Sequence, residues 1–387
     1  MLKSSYQALL TAATQTAGPV IPGLVDRPVF FFAPYSRVGS MHAHAIASRL
    51  KQPIAMIDNV STDTHIYGVP RWSTNEFLER ARQYPNAVAL DFSVLPNTQN
   101  FFARLAREAG IEVRDCIIAQ AQFDCCAVYE SVNTYRHKTL ERLDDFLRLA
   151  ERFDDDFSRE TLYANLLFRL TFDRAPLVNI LSNPAEEYFS TLPQPATFRL
   201  GKREHYVDCG AYQGPVINKF LEATGGQYAS ITAFEPDKFN FSVLSNLSAR
   251  PLHNLRLFNK AVSSQSERLR FNQTGTMSSA ISAEGNVWVE TASLDDELEH
   301  MSFLKMDIEG YEPKTLLGAK RLLVNDRPRI AACVYHYALD LLDVIDKIDT
   351  LAGDYHYRLR QHESGYYYDL ILYASPDKGV EPQKSVA

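Results

Sequence analysis

The sequence lacks paired cysteines, an excess of positive charge and long apolar runs, and each absence excludes a class of protein. Its five cysteines include no C-x-x-C spacing, which argues against a zinc site or a disulfide framework. Acidic residues outnumber basic ones by 47 to 40, so the composition offers no basic surface for nucleic acid phosphates. No apolar run approaches the length of a membrane span. We therefore expect a protein of the reducing cytoplasm, without a membrane span and without nucleic acid as a partner.

The chain is long for a single hydrophobic core. Its 387 residues predict about two to three domains. Residues 1–27 are predicted to form an N-terminal arm, a helix followed by a linker rich in proline and glycine. Only one lysine precedes the apolar patch from Ala8 to Ala13, a pattern that does not indicate a signal peptide.

Alternating apolar strands and helices predict a small Rossmann-like α/β domain over residues 28–136. The segment after its first strand, residues 34–40, has one glycine where a phosphate-binding loop needs two or three. Asp58 stands where a ribose-binding acid would be, but an aspartate before asparagine is also a common turn signal. We favour a structural or partner-binding role for this domain and leave a nucleotide or sugar-nucleotide site open.

Residues 137–194 are charged, with leucines at helical spacing, and predict a helical connector. Residues 195–387 predict a second α/β domain with a doubly wound seven-stranded sheet. Its strands are expected at 206–209, 231–234, 255–258, 303–306, 330–335, 355–360 and 368–374, with helices between the first six. The loop between the last two is too short for a helix, so these strands should form an antiparallel hairpin.

The turn after the first of these strands carries the most functional information. Gly210 and Gly214 let the backbone approach a ligand closely. Glu235 follows Gly214 by 21 residues, at a strand end where a carboxylate accepts ribose hydroxyls. The spacing is D-x-G-x-x-x-G rather than G-x-G-x-x-G, which favours a ligand without a pyrophosphate. S-adenosylmethionine is the leading candidate.

Four stretches together resemble the FkbM-type family of S-adenosylmethionine-dependent methyltransferases, namely residues 207–214, 233–237, 292–296 and 303–312. The fourth, FLKMDIEGYE, is the specific one. The resemblance covers residues 195–376, and the connector segments 165–168 and 187–189 are similar to longer family members. It implies methyl transfer to a hydroxyl of a sugar, glycan or natural product, with a small-molecule or carbohydrate acceptor as the partner.

The resemblance also implies residue roles. Asp208 and Gly210 would face the amino acid end of the cofactor, Glu235 would take the ribose hydroxyls, and the residues after it would shape the adenine edge. The cofactor-binding set is Asp208, Gly210, Ala211, Gly214, Glu235, Pro236, Asp237, Asn259 and Ala261.

Three residues are catalytic candidates. Asp307 and Glu309 follow the fourth strand, where either can act as the base or hold a sugar hydroxyl. His336 follows the fifth strand, and the ordinary pKa of histidine suits a general base, although a core histidine is equally compatible. Lys305 is as well explained by an ion pair with a neighbouring acid as by catalysis. Nothing in the spacing requires a metal.

Two segments are open to two interpretations. Residues 275–279 suit a lid over the cofactor or an ordinary loop. Tyrosines around the last hairpin, at 355, 357 and 366–368, with His362, suit a sugar-stacking surface or plain strand alternation. The competing functions are an NAD-dependent oxidoreductase or nucleotide-sugar-binding protein using the N-terminal fold, and a non-catalytic binding protein. The oligomeric state stays open, a homo-oligomer included.

Overall fold

In the described part of the chain, the strands form three sheets, of six, four and seven strands. The computed structural model describes residues 2–15, 18–34, 37–125, 129–192, 195–276, 279–362 and 369–377. The described chain divides into two units. The first holds residues 2–142 and 163–179, and the second holds 143–162, 180–362 and 369–377. The four domain boundaries expected from the sequence stay predictions.

The six-stranded sheet belongs to the first unit. Its strands are β1 (Pro28–Phe32), β2 (Gln52–Ile57), β3 (His65–Ile66), β4 (Val69–Trp72), β5 (Val88–Asp91) and β6 (Glu112–Asp115). They lie in the order β3-β4-β2-β1-β5-β6, and every pair except β3–β4 is parallel. The strand order reverses at β1, so the switch point of this sheet lies between β1 and β5.

The helices of the first unit include α1 (Leu2–Thr14), α2 (Arg37–Ala47), α3 (Thr74–Arg80), α4 (Pro96–Ala109), α5 (Cys116–Phe123) and α6 (Val132–Glu141). Of these, α2 and α5 pack on one face of the sheet, and α3 and α4 pack on the other. Phe31 belongs to one buried cluster, whereas Phe30 and Phe32 belong to the cluster on the other face. Because β1 is buried on both faces, its sequence is continuously apolar rather than alternating.

The hairpin β3–β4 was not predicted. It turns through Tyr67 and Gly68, both in the left-handed region with φ of 48° and 79°, as a two-residue hairpin turn requires.

Three helices follow α6 along the chain, namely α7 (Leu143–Leu149), α8 (Asp156–Thr171) and α9 (Ala175–Val178). Short 3₁₀ helices lie at Ala81–Gln83, Ala150–Arg152, Pro184–Glu186 and Ser245–Ala249.

The second unit contains the other two sheets. Its strands are β7 (His205–Cys209), β8 (Ser230–Phe234), β9 (Leu255–Phe258), β10 (Ala261–Val262), β11 (Arg268–Asn272), β12 (Ala280–Ile281), β13 (Val287–Ala292), β14 (Phe303–Met306), β15 (Arg329–Cys333), β16 (His356–Gln361) and β17 (Leu370–Ser375). The seven-stranded order is β16-β17-β15-β14-β7-β8-β9. The expected antiparallel hairpin β16–β17 is confirmed, and the switch point lies between β7 and β14.

Helices of this unit are α10 (Pro215–Ala223), α11 (Lys238–Leu244), α12 (Leu294–Glu297), α13 (Glu312–Leu317), α14 (Lys320–Asn325) and α15 (Asp340–Leu351). Aromatic side chains dominate one side of the core. The rings of Tyr206 and Phe220 stack at 4.4 Å, and Phe189 meets Phe303 edge-on at 5.9 Å. These rings fix helix α10 and residues 187–190 against the strands that carry the site.

The expectation of helices between all of the first six strands is wrong between β9 and β14. A four-stranded sheet, in the order β10-β13-β11-β12, lies there with only the short helix α12. Residues 268–272 read R-L-R-F-N, and residues 287–292 read V-W-V-E-T-A. Alternation of polar and apolar residues is typical of strands with one buried face.

Across the part of the chain that the structure describes, no helix combines the length and the apolar character that a bilayer crossing needs. The four described cysteines are all buried.

Candidate active site

Three strand ends meet at one edge of the seven-stranded sheet. In the ladder, Cys209 pairs with Phe234 of β8 and with Met306 of β14. The residues that follow are also joined, because Gly210 N donates to Phe234 O at 3.0 Å and Asp307 N donates to Cys209 O at 3.1 Å. The predicted loop, the predicted ribose acid and the predicted catalytic acids therefore lie side by side at the switch point.

The turn after β7 requires glycine at residue 210. Gly210 has a φ of 78°, and a Cβ there would lie 1.9 Å from the carbonyl oxygen of Asp307. Ala211 is buried in the apolar core and donates its N–H to Phe234 O at 3.1 Å. Gly214, with φ of 93°, precedes α10, and a Cβ there would approach the side chain of Leu247 to 3.1 Å. Gly214 thus serves helix packing.

Glu235 is held by the loop that it faces. Its Oε2 accepts the N–H of Tyr212 at 2.8 Å, and its Oε1 accepts the N–H of Asp237 at 2.8 Å. Burial raises the pKa of Glu235 to about 7, although both backbone donors favour the ionised form. Each carboxylate oxygen accepts more than one hydrogen bond, so both oxygens retain capacity for ligand hydroxyls.

Both carboxylate oxygens of Asp237 accept hydrogen bonds from other groups of the protein. Its Oδ1 caps helix α11 through the N–H of Phe239 at 2.9 Å, and its Oδ2 accepts from Gly275 N at 2.9 Å and Ser279 Oγ at 2.8 Å. Asp237 therefore ties the predicted lid loop to the end of β8. Met277 and Ser278 of that loop lie outside the described residues.

The remaining predicted cofactor residues flank Glu235. Asn259 donates from Nδ2 to the carbonyls of Glu235 at 2.9 Å and Pro236 at 3.1 Å, so it supports the same turn. Pro236 is half-buried there. Ala261 lies in β10 and packs with Phe271 in the core of the small sheet.

Asp208 and Lys305 form a buried ion pair across neighbouring strands. Lys305 Nζ lies 3.1 Å from Asp208 Oδ1 and donates to the carbonyl of Gly210 at 2.7 Å. Tyr206 donates its phenol to Asp208 Oδ2 at 3.0 Å. Burial of Lys305 disfavours its charge, but the charge of Asp208 outweighs this and raises the pKa of Lys305. Of the two roles left open for Lys305, the structure shows the ion pair, and Asp208 supports the loop from its buried side.

Carboxylates converge on His336. Its Nε2 lies 3.4 Å from Asp307 Oδ1 and 3.6 Å from Glu309 Oε2, and its Nδ1 lies 3.6 Å from Glu312 Oε1. Burial opposes the charged imidazole, but the hydrogen bond to Asp307 and the charges of Glu312 and Glu309 raise the pKa of His336 to about 10. The surrounding carboxylates therefore favour the charged imidazole, and the role of His336 as a base stays a prediction.

The two predicted acids differ in their protonation. Burial of Asp307 disfavours its ionisation, but the hydrogen bond from His336 and the charge of Lys305 hold its pKa well below the usual range. Burial raises the pKa of Glu309 to about 7 against the charge of His336. Glu309 also has a φ of 61°, an uncommon backbone for a residue with a long side chain. Of the two acids, only Glu309 exchanges protons near neutrality.

Sequence reasoning missed two phenols of the site. Tyr188 donates to Asp307 Oδ2 at 3.3 Å, and Tyr335 donates to Asp307 Oδ1 at 3.5 Å. Tyr335 directly precedes the predicted His336 in the sequence. Tyr188 lies in the segment 187–189, which resembles longer family members, but nothing in the sequence indicated a contact with Asp307.

The sugar-stacking surface is not supported by the described residues. Tyr355 and Tyr357 are buried and donate to Pro328 O and to Asp349, and His362 is buried against Tyr373. Tyr366, Tyr367 and Tyr368 lie outside the described residues. Within the same described part of the chain, no group of three or more His, Cys, Asp or Glu side chains has the arrangement of a metal site.

Comparison with known proteins identifies the second unit. Residues 208–361 match the sequence model of the methyltransferase FkbM domain. The crystal structure of methyltransferase FkbM from Methylobacillus flagellatus KT is similar over 96% of this chain and 98% of that chain, with 24% identity and a TM-score of 0.79. This likeness shows a shared fold. No curated protein matches the chain significantly. The match confirms the resemblance found in the motifs: residues 208–361 are similar to the methyltransferase FkbM domain.

Proposed function

We propose that the protein is an S-adenosylmethionine-dependent O-methyltransferase that acts on a hydroxyl of a sugar, glycan or related natural product. The observation that carries this proposal is the placement of Glu235, a buried strand-end carboxylate fixed by the Tyr212 and Asp237 amides. Its remaining lone pairs suit the two hydroxyls of a ribose. The Gly210 turn brings backbone, rather than side chain, to the same edge.

Bound S-adenosylmethionine supplies a reactive methyl group on its sulfonium. Glu235 would hold the ribose, and the turn around Gly210 would face the amino acid end. Pro236 and Asn259 would border the adenine. Asp208 and Lys305 would keep the turn in place from the buried side.

Glu309 is the proposed base. It takes the proton that the acceptor hydroxyl loses as its oxygen gains the methyl group, and a pKa near 7 suits this role. The lowered pKa of Asp307 and the raised pKa of His336 make both poorer bases than Glu309 at neutral pH. The carboxylate of Asp307 disfavours an anionic acceptor and suits a neutral hydroxyl, which it can hold by a hydrogen bond. The lack of any C-x-x-C spacing among the five cysteines supports the cytoplasm as the compartment.

Calorimetry with S-adenosylmethionine, S-adenosylhomocysteine and NADH tests the donor. We expect micromolar binding of the first two and none of NADH. Binding of NADH alone would instead favour an oxidoreductase. Methyl transfer from tritiated donor to a panel of methyl glycosides and natural-product polyols then tests the acceptor class, with free carboxylic acids as the contrasting class.

A further inference from the structure

Tyr188 adopts a backbone conformation that a tyrosine rarely takes. Its φ is 59°, in the left-handed region, and its side chain is buried. A residue with a bulky side chain keeps this conformation only when its surroundings impose it, and such residues cluster at functional sites. Tyr188 lies outside residues 208–361, the segment that matches the family.

Both neighbours of Tyr188 are fixed to the sheet. Phe189 is fully buried, and its ring contacts Tyr206 and Phe303 in the core. The carbonyl of Glu187 accepts from Lys219 Nζ at 2.7 Å, which attaches it to helix α10. The chain therefore has little freedom to relax at Tyr188, and the left-handed turn directs its side chain to the strand ends.

The side chain of Tyr188 contacts both Asp307 and Lys305. Its phenol donates to Asp307 Oδ2 at 3.3 Å and lies 3.7 Å from Cys333 Sγ. Lys305 Nζ lies over its ring, 5.3 Å from the centroid, and the same Nζ donates to the carbonyl of Gly210. One residue thus touches the cation beneath the cofactor turn and the carboxylate on the acceptor side.

We propose that Tyr188 is a positioning residue of the methyl transfer, whose phenol orients Asp307 while its ring steadies Lys305 under the cofactor turn. The inference rests on the proposed function. The two contacts are separable by substitution, because phenylalanine keeps the ring and loses the hydroxyl, whereas leucine loses both.

Asp307 is the group whose titration reports on the phenol. The titratable and charged groups that face Asp307 or its partners come from every element packed there, namely Lys305, Glu309, Glu312, Asp208, Tyr188, Cys333, Tyr335, His336 and Asp369. The phenol is a hydrogen-bond donor to the ionised carboxylate, so its removal favours the protonated form.

The test compares Tyr188→Phe, Tyr188→Leu and the control Tyr355→Phe, which removes a buried phenol that donates to Pro328 O. We expect Tyr188→Phe to lower kcat about tenfold, the size of one hydrogen bond to a charged group, with an unchanged Kd for S-adenosylmethionine. In ¹³C NMR of labelled aspartate, assigned with Asp307→Asn, the titration of Asp307 should move to higher pH. Tyr188→Leu should also weaken cofactor binding, and Tyr355→Phe should change neither quantity.

The outcomes separate the two proposals. If the wild-type protein neither binds S-adenosylmethionine nor transfers methyl groups, the proposed function is wrong and the inference falls with it. If the wild type is active and Tyr188→Phe leaves kcat and the Asp307 titration unchanged, only the inference is wrong. Equal losses of kcat in Tyr188→Phe and Tyr355→Phe would also overturn it, because a purely structural phenol would then have the same effect.

Discussion

The two parallel sheets use the same position, the residue directly after the strand at the switch point, in different ways. Both residues are left-handed: Ala33 after β1 has a φ of 54°, and Gly210 after β7 has a φ of 78°. The first sheet has room for the Cβ of Ala33, which is buried. The second has none, because the carbonyl of Asp307 occupies that space. The turn after β7 therefore packs tightly against the end of β14, and this contact fixes its shape.

The acid after the next strand differs as well. Asp58 and Glu235 are both buried, but Asp58 Oδ1 accepts from Val60 N at 2.5 Å and Ser61 N at 3.2 Å, within its own turn. Glu235 instead accepts from Tyr212, in the loop of the adjacent strand. A strand-end acid at a switch point is therefore not a ligand site by itself. Its attachment to the neighbouring loop distinguishes the second sheet from the first.

The largest effect is expected at Glu309, the acid beside the switch point of the second unit's seven-stranded sheet. Glu309→Gln should lower kcat by roughly a hundredfold or more, since general-base catalysis contributes about 3–5 kcal/mol to the barrier. In the wild type, kcat should rise with pH through about 7, because Glu309 accepts a proton only when ionised. Steady-state kinetics over this pH range, with thermal unfolding as a check of the fold, measure both.

The matched control is Asp91→Asn at the end of β5, where burial likewise raises the pKa of the carboxyl, here to about 6. Its kcat should equal that of the wild type. A kcat for Glu309→Gln within a few-fold of the wild type would remove Glu309 as the base. An inactive but folded Asp91→Asn variant would mean that the first sheet takes part in the reaction.

The next effect concerns the left-handed turn. Gly210→Ala should lower the free energy of unfolding by about 2–4 kcal/mol, because it adds left-handed strain to a steric clash. Gly226→Ala is the control for strain alone: Gly226 has a φ of 73° with no atom within 4 Å of a built Cβ. It should cost about 1–2 kcal/mol, and Ala33→Gly should change stability by less than about 1 kcal/mol. Urea unfolding of the three variants gives the ranking, which equal costs for Gly210→Ala and Gly226→Ala would contradict.

The smallest effect separates the two strand-end acids. Glu235→Ala should weaken S-adenosylmethionine binding by about 1–3 kcal/mol, the cost of hydrogen bonds to a charged acceptor, whereas Asp58→Asn should leave it unchanged. Calorimetry measures both Kd values. An unchanged Kd for Glu235→Ala would mean that the ribose binds elsewhere.

The pH dependence of the same Kd sharpens this comparison. Ribose hydroxyls donate to the ionised carboxylate, so they favour the deprotonated form of Glu235, whose pKa is about 7 in the free protein. Binding should therefore release a proton and weaken as the pH falls below 7. In the Glu235→Ala variant this dependence should disappear.

Local patterns predicted the strands and the edge at which the site lies. The strand Phe303–Met306 was predicted to the residue because a short apolar run ends there at an acid. The small sheet was missed because its half-polar alternation was not weighed against the expected helix. The charge of His336 was beyond sequence reasoning, since it depends on three carboxylates that only the fold brings within 3.6 Å. Likewise, the sequence predicted Asp237 as a cofactor-binding residue, but it did not show that its carboxylate accepts a hydrogen bond from the backbone of Gly275.

The position of β17 has a consequence for how the second unit is made. This strand lies between β15 and β16 and pairs with both, yet it follows residue 361, where the family match ends. Residues 208–361 alone would leave both neighbours with unpaired edges, which promote aggregation. During synthesis β17 emerges from the ribosome after every other strand of its sheet. The sheet is therefore completed only after residue 375 has been translated, and until then the edges of β15 and β16 that β17 will cover stay unpaired.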